Sequence, residues 1–424
     1  MKAEIISVGT EILLGHIVNT NANYLSKKLA EVGVNLYYQS TVGDNPARLV
    51  GLLEQAISRS DIVITTGGLG PTVDDITLNS VGSVTSRALV FDKTIEKYVI
   101  NHYKRRGVRR IPKEVIRQAY IPRGARWFEN KVGTAPAILV KHDKKLVVAL
   151  PGPPRELIPL FENNIIPYLK KKGFAGKNIL KTKTIKIAGL VEAEVNKRVK
   201  DLLTIGPRTT MGIYVHLGEI DLKITSKAKN KNAADKEIAK IEKKIRQRLG
   251  NYIYGTDGDI LESIVGKMLL KKGKTLTVAE SCTGGLIANR ITNVSGSSRY
   301  FKMGIVAYSN EAKEKLLGVS KEKLKRYGTV SKEVALAMAE GARALSKADI
   351  TIGVTGIAGP TGGTKSKSVG LIYIAVVGTK IKMIKECHFL GNREDIKLQT
   401  SITALDLLRI ALFRTGAVRK AVKS

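Results

Sequence analysis

Only two of the 424 residues are cysteine, Cys282 and Cys387, and only one is tryptophan. Two thiols exclude a disulfide framework and a four-cysteine zinc site, and they suit a reducing compartment. The five histidines (His16, His102, His142, His216, His388) are scattered, so the sequence gathers no zinc cluster. No apolar run approaches the roughly 18 residues of a membrane span, and the opening MKAEIISVGTEILLG reads as a strand without a basic leader before it. A cytoplasmic protein with no membrane segment is therefore expected. Fixed-period repeats and low-complexity tracts are also missing. Acidic residues are scarce: 37 Asp+Glu stand against 71 Lys+Arg, a formal net charge of +34. Such an imbalance ordinarily points to nucleic acid or acidic lipid, so its location matters.

The excess is regional. Residues 1–100 carry a net charge of −2, residues 101–250 of +22 and residues 251–424 of +14. The densest runs are KRRGVRRIPKEVIR (104–117), LKKKGFAGKN (169–178) and KAKNKNAADKEIAKIEKKIRQR (227–248). In the last, Ile238, Ile241 and Ile245 recur at helical spacing among lysines, which predicts an amphipathic helix with a solvated basic face. Aromatic stacking residues are not interleaved with these lysines, so a nucleic-acid groove is the less favoured reading.

The length predicts two or three domains, and a 43% hydrophobic fraction supplies a core for each. Residues 1–168 alternate apolar strands (4–8, 35–42, 62–65, 137–140, 145–150) with helical patterns, the signature of a doubly wound α/β domain. Residues 175–256 hold strand-like TKTIKIAG and EIDLKITSKA plus the basic helix, a small α+β unit. A second α/β block spans 258–415, with strands at 275–279, 304–308, 350–354 and 370–377.

One constellation comes twice. DIVITTGGLGPTVDD leads from a strand into Thr66, Gly67, Gly68, Gly70 and Thr72, and DITIGVTGIAGPTGG leads into Thr355, Gly356 and Gly359. Ligands of open α/β sheets bind beyond the carboxyl ends of the strands, where glycines let backbone N–H groups approach a phosphate. Tight turns needing positive φ would account for the same glycines. Neither loop fits the dinucleotide or nucleoside-triphosphatase fingerprints.

The third block adds a nucleophile candidate. TLTVAESCTGGLIANRIT reads as strand, turn and helix, with Ser281, Cys282, Thr283, Gly284 and Gly285 in the turn. N–H groups at the start of that helix are expected to be free for a phosphate or an oxyanion. Spacing does not choose between Ser281 and Cys282. A Ser-His-Asp arrangement has little support, since His388 is the block's only histidine. A base is offered by YSNEAK: Tyr308 ends a strand, Asn310 is the expected N-cap, and Lys313 falls in the first helical turn, where desolvation and the helix dipole would lower its pKa. An ordinary solvated helix would also explain these residues. In the first block Glu11, Asp44, Asp74 and Asp75 follow strands or the Gly-rich loop, where carboxylates suit a Mg²⁺-like cation bridging to a pyrophosphate. Asp74 would equally serve as a helix cap.

These motifs resemble the CinA family, in which a molybdopterin-binding-like domain is joined to a nicotinamide-nucleotide amidase domain. ISVGTEILLGHIVNTNANYLSKKL, TTGGLGPTVDDIT, NKVGTAPA and LPGPPREL match its N-terminal signatures, and VAESCTGG, SGSSRYF, YSNEAK, GTVS, TGIAGPTGG and GNRE its C-terminal ones. The middle block is similar in place and length to the family's KH-like insert. GFAG has the nucleic-acid G-x-x-G pattern but precedes a strand instead of joining two helices, so it is read as coincidence.

The resemblance implies a three-part α/β chain: a molybdopterin-binding-like doubly wound domain (1–168), a KH-like α+β domain (175–256) and an amidase domain (258–415). It implies deamidation of nicotinamide mononucleotide by the last of these, with Ser281 as nucleophile, Tyr308 and Lys313 activating it, and no cofactor. Thr283, Gly284, Gly285, Ser298, Thr355, Gly356 and Gly359 would line that site, and Arg393 would meet the nucleotide's anionic part. Thr361 departs from the acid that many relatives carry there. For the N-terminal domain the family suggests ADP-ribose hydrolysis. A nucleotide would sit on Thr66, Gly67, Gly68, Gly70, Thr72 and Gly152, and a divalent metal would be held by Glu11, Asp74 and Asp75. A homodimer is the family-level expectation. The competing readings are a molybdopterin- or nucleotide-binding module with a vestigial amidase site, and a nucleic-acid binder acting through the basic middle block.

Overall fold

The structure, a computed structural model, describes residues 1–108, 110–176, 178–203 and 208–417; Arg109 and Lys177, members of two of the basic runs, lie outside the described residues. The chain divides into two compact units, Met1–Lys181 with Ser226–Lys236, and Thr182–Thr225 with Glu237–Ser424.

The first unit is built on a six-stranded sheet. Strands β1 (Lys2–Val8), β2 (Asn35–Val42), β3 (Ile62–Thr66), β6 (Arg126–Phe128), β7 (Ala137–His142) and β8 (Lys145–Leu150) lie in the order β2-β1-β3-β8-β7-β6, and β4 (Leu89–Phe91) pairs with β5 (Tyr120–Pro122) apart from it. The strands β2, β1, β3 and β8 are parallel, and β7 and β6 complete the sheet antiparallel. Successive residues of β8 feed opposite cores: Val147 and Ala149 join one apolar cluster, Leu146, Val148 and Leu150 the other. That period of two, apolar on both faces, is why helices cover both sides of the sheet. GFAG closes this unit: Gly176 N–H donates to Val32 O at 3.0 Å, and its backbone lies against Gly33 where a Cβ has no room. Packing therefore explains Gly176, and a φ of +74° with open space around it explains Gly173.

The middle block forms a second sheet. Strands β9 (Ile179–Ala188), β10 (Thr209–His216), β11 (Glu219–Ala228) and β12 (Ile253–Thr256) lie in the order β10-β11-β9-β12. The helix Lys231–Leu249 buries Ile238, Ile241 and Ile245, while Lys236, Lys240, Lys243 and Lys244 are exposed. The amphipathic reading therefore holds, with the basic face in solvent.

The rest of the second unit carries a five-stranded sheet, β14-β13-β15-β16-β17, made of β13 (Leu276–Glu280), β14 (Phe301–Val306), β15 (Ile350–Gly356), β16 (Leu371–Gly378) and β17 (Ile381–His388). The first three are parallel and the last two antiparallel. Strand β17 was not anticipated from the sequence, because its mixed exposure in IKMIKECH hides the alternation. The helix Lys332–Ser346 lies on this sheet through Ala335 and Ala339, both fully buried.

No helix among the described residues is long and apolar enough to cross a membrane. The helix Lys332–Ser346 approaches the sheet closely at Gly353, where a Cβ would overlap Ala335 O and lie 2.7 Å from Ala339 N. Gly353→Ala is accordingly expected to lower the stability of the second unit by about 1–3 kcal/mol through overpacking. A lower urea midpoint at unchanged slope is the expected signature; an unchanged midpoint would mean that the helix can lift off the strand at no cost.

Candidate functional sites

The parallel strands β13, β14 and β15 deliver three loops to one edge of the C-terminal sheet, and the candidate nucleophile sits there. Ser281 directly follows β13, and its N–H donates to Val354 O at 3.1 Å, which pins the turn to the neighbouring strand. After β14 the chain turns at Ala307 and Tyr308 into the helix Asn310–Leu317, capped by Ser309, whose hydroxyl accepts from Ala312 N–H at 3.1 Å. Ser309 thus caps the helix where Asn310 was expected; Asn310 instead accepts from Thr329 Oγ1 at 2.8 Å.

Lys313 points back from that helix and has no exposed surface. Its Nζ lies 3.0 Å from Ser281 Oγ, 3.0 Å from Ala307 O and 3.1 Å from Tyr308 O. Burial lowers its pKa from the ordinary lysine value. A neutral amine has two N–H groups and one lone pair, and the two carbonyls can take only the N–H groups. The lone pair is then left for the Ser281 hydroxyl. Cys282, one residue on, is 6% exposed, and burial pushes its thiol up to about 12, so it is protonated at neutral pH.

The helix after the turn differs from expectation. It is short, Leu286–Thr292, and the N–H groups at its start are not free: the carboxylate of Glu280 accepts from Gly285, Ile287 and Ala288 at 3.0, 3.1 and 2.8 Å. Glu280 is fully buried, and this cap holds the SCTGG turn. Gly284 and Gly285 take φ of +63° and +95°, which only glycine adopts without strain. Thr283 is fully buried and its Oγ1 has no hydrogen-bond partner among the described residues.

Facing this turn, Arg393 begins the helix Arg393–Ala417 and donates to Gly359 O at 2.6 Å and to the Tyr308 hydroxyl at 2.7 Å. The Tyr308 phenol is therefore held by Arg393, not by Ser281 or Lys313; only its carbonyl reaches the lysine. Thr355 Oγ1 donates to Thr329 O at 2.8 Å, and a Cβ on Gly356 would overlap Ile372 Cδ1. Lys397, one turn beyond Arg393, places Nζ 3.6 Å from where a Cβ on Gly284 would be. Sequence reading missed it, because a lysine one helical turn past an arginine carries no signal of its own. Among the described residues none of Lys313, Arg393 and Lys397 forms an ion pair. Ser298 is not brought to this site: it precedes β14, and the parallel register Leu276↔Phe301 sets it at the opposite edge of the sheet from Ser281.

The first unit has a cleft of about 560 Å³ at the carboxyl ends of β1, β3 and β8. Its lining includes Thr66, Gly67, Gly68, Gly70 and Gly152, so the expected loop residues do converge there. Gly67 has φ +102°, and a Cβ on it would overlap Val8 O. Thr72 does not line the cleft; its N–H and Oγ1 donate to Asp75 Oδ2 at 2.8 and 2.6 Å, which folds the loop back on itself. Asn21 was missed in the sequence. Its Nδ2 donates to Thr66 Oγ1 at 2.9 Å and to Gly152 O at 2.6 Å, clamping two loops together.

Glu11, Asp44, Asp74 and Asp75 all line the cleft. Asp44 accepts from Thr10 N–H and Oγ1 at 3.0 and 2.8 Å. The helix Thr77–Val84 has no side-chain cap, so Asp74 does not serve as one. Among the described residues no three His, Cys, Asp or Glu side chains gather closely enough to hold a metal ion. The oxygen donors therefore fit a hard cation that takes one or two carboxylates and completes its shell from a bound phosphate, and do not fit an all-protein cage.

The fold and sites define a class: an α/β protein with a cleft lined by carboxylates and glycines in one domain and a buried serine–lysine pair in another. The family described as "CinA C-terminal domain" matches residues 259–412, "Damage-inducible protein CinA KH domain" matches 182–255, and "Probable molybdopterin binding domain" matches 4–171. CinA-like proteins of Kosmotoga olearia and Dictyoglomus turgidum are each 46% identical over 412 residues, covering 97% of this chain and 99% of the relative. Among solved structures, the competence/damage inducible protein CihA from Agrobacterium tumefaciens is 42% identical, with a TM-score of 0.35, covering 36% of this chain and 93% of that one. The chain belongs to the CinA family.

Glu280 gives this site a stability test. Glu280→Ala leaves three N–H groups without their acceptor and is expected to destabilise the second unit by about 3 kcal/mol or more. Glu280→Gln, which keeps one carbonyl acceptor, is expected to lose less. Equal urea midpoints for wild type and Glu280→Ala would show that the cap does not hold the turn.

Proposed function

We propose that the C-terminal domain is a serine–lysine amidase that hydrolyses nicotinamide mononucleotide to nicotinate mononucleotide and ammonia. The observation that carries this reading is the 3.0 Å contact of a fully buried lysine with the Ser281 hydroxyl. Lys313 takes the Ser281 proton as Oγ attacks the amide carbon. The C–N bond then breaks, the nitrogen leaves as ammonia with the proton returned by Lys313, and the acyl group remains on Ser281. Water attacks that ester, again giving its proton to Lys313, and Oγ departs as the hydroxyl. The balance is one amide and one water to one carboxylic acid and ammonia. Arg393 and Lys397 supply positive charge for the nucleotide phosphate, and the Tyr308 phenol, fixed by Arg393, forms the substrate wall.

Ser281→Ala is expected to reduce ammonia release at least about a thousandfold. Lys313→Met is expected to be equally inactive yet no less stable than wild type at neutral pH, because methionine keeps the volume and removes a buried amine. The sign follows from the lowered pKa. Protonation is disfavoured in the folded state, so the stability linked to Lys313 is complete above the ordinary lysine pKa and is lost as pH falls through the lowered one. For the same reason kcat/KM is expected to rise with pH, with its midpoint below the ordinary lysine pKa of about 10.5. Full activity in Ser281→Ala, or a pH profile unchanged in an active Lys313 variant, would remove this assignment. Lys397→Ala is expected to raise KM with little change in kcat.

For the first unit we propose hydrolysis of a pyrophosphate ligand such as ADP-ribose to AMP and ribose 5-phosphate. The support is the convergence of the Gly-rich loop, Gly152 and five carboxylates, Glu156 among them, on one cleft. A divalent cation there would neutralise the phosphates, with Glu11 and Asp74 as its most accessible protein oxygens. Product analysis with ADP-ribose and Mg²⁺ or Mn²⁺ tests this. Glu11→Gln with Asp74→Asn is expected to lower turnover at least about a hundredfold and leave ammonia release intact. Parallel loss of both activities would point to general misfolding instead.

A further inference from the structure

The basic run that begins at Lys104 serves neither site, yet its helix lines a second cavity of the first unit, about 520 Å³ in volume. From the helix Lys93–Arg105 come Lys97, His102 and Arg105, and from the segment after β6 come Glu129 and Lys131, with Trp127 between them. Positions 97, 98, 101, 102 and 105 share one helical face, so the cavity is a designed concavity of one helix against one strand. Among the described residues neither Lys97, Arg105 nor Lys131 has an ion-pair partner. Glu129 is the one acid of the lining. Burial, and then the charge of Arg106, lower the pKa of His102, which keeps its ring neutral. The cavity thus holds two more positive charges than negative ones. Lys97, Arg105 and Lys131 are exposed along its lining, so their charges are open to an incoming anion.

The rest of the cavity is rigid and partly aromatic. Tyr98 and Trp127 stand 6.0 Å apart at 34°. The Tyr98 hydroxyl lies 2.7 Å from Asn130 O and 2.6 Å from Gly133 O. Asn130, 1% exposed, donates to Ala135 O and Glu156 and accepts from Val132 and Gly133 N–H. His102 Nε2 is buried without a hydrogen-bond partner among the described residues. We infer that this cavity is a binding site for a small organic phosphate of mononucleotide size, separate from the Gly-rich cleft. Its phosphate meets Arg105, Lys97 and Lys131, and its planar ring lies towards Trp127. The volume is within the usual range for such ligands, about 300–1,000 Å³. The 130–135 strap walls both cavities, with Asn130 and Lys131 on this side and Thr134 and Ala135 on the other.

Because Trp127 is the chain's one tryptophan, its emission reports on this cavity without a label. In the full-length protein AMP is expected to change that emission saturably, and adenosine to bind at least about tenfold more weakly for want of the phosphate. The double variant Arg105→Ala/Lys131→Ala is expected to weaken AMP at least about tenfold while retaining its circular dichroism and ammonia release. Emission unchanged to several millimolar AMP, equal affinity for adenosine, or an unaffected double variant would each overturn the site. So would affinity for oligoadenylate that climbs with its length, which would make the surface a nucleic-acid track.

Discussion

A lysine with no exposed surface sets the terms for the C-terminal domain. Desolvating an ammonium is costly, and among the described residues Lys313 has no carboxylate in ion-pair contact to offset it. What it supplies is two backbone carbonyls and one hydroxyl. Such an environment tolerates the neutral amine better than the cation, and a neutral amine beside a serine hydroxyl is a base. The geometry needs the turn after β14 to meet the turn after β13, which parallel neighbours in one sheet provide. Ser309, by capping the helix, sets the first-turn position from which Lys313 reaches back. Burial, capping and strand order therefore converge on one nitrogen–oxygen distance.

The buried acid of the same site does a different task. Glu280 could have paired with Lys313 and quenched it; instead its carboxylate is saturated by three N–H groups of the following turn. The same contacts explain why the helix start is not available as an anion site; the cations beside the turn are Arg393 and Lys397. The two Gly-rich loops, similar as strings, thereby serve electrostatically opposite surroundings. One opens on Glu11, Asp44, Asp74 and Asp75, the other faces Arg393.

Much of this was legible in the sequence where a single periodicity or a short turn decides the outcome. Strands β2 and β8 begin and end where the sequence places them, and Ile238, Ile241 and Ile245 announce the buried stripe of their helix. The convergence of Thr66, Gly67, Gly68, Gly70 and Gly152 follows from strand ends in a parallel sheet. What stayed hidden depends on contacts between residues far apart in the chain. Nothing local distinguishes Lys313, fully buried, from the exposed Lys315 two positions on, and the resemblance of YSNEAK to its family carried that choice. Asn21 bridging Thr66 and Gly152 joins residues 45 and 131 positions away, beyond any window of pattern. Ser298 shows the converse: a motif adjacent in family order lies at the far end of its strand.

The charge excess illustrates why global electrostatics is a poor guide to chemistry. On the helix Lys231–Leu249 the lysines extend into water, where screening over about 8–10 Å leaves little net field at a distance. Lys313 is fully buried, where the effective dielectric is lower and interactions are correspondingly larger, whereas Glu11 and Asp74 of the cleft and Lys97, Arg105 and Lys131 of the second cavity are exposed and act through their placement around a concavity. A cleft with five carboxylates in a chain of net charge +34 is the clearest case, since its local sign is opposite to that of the molecule. The placement of a few side chains, and not the net charge of the chain, therefore sets the local sign of each concavity.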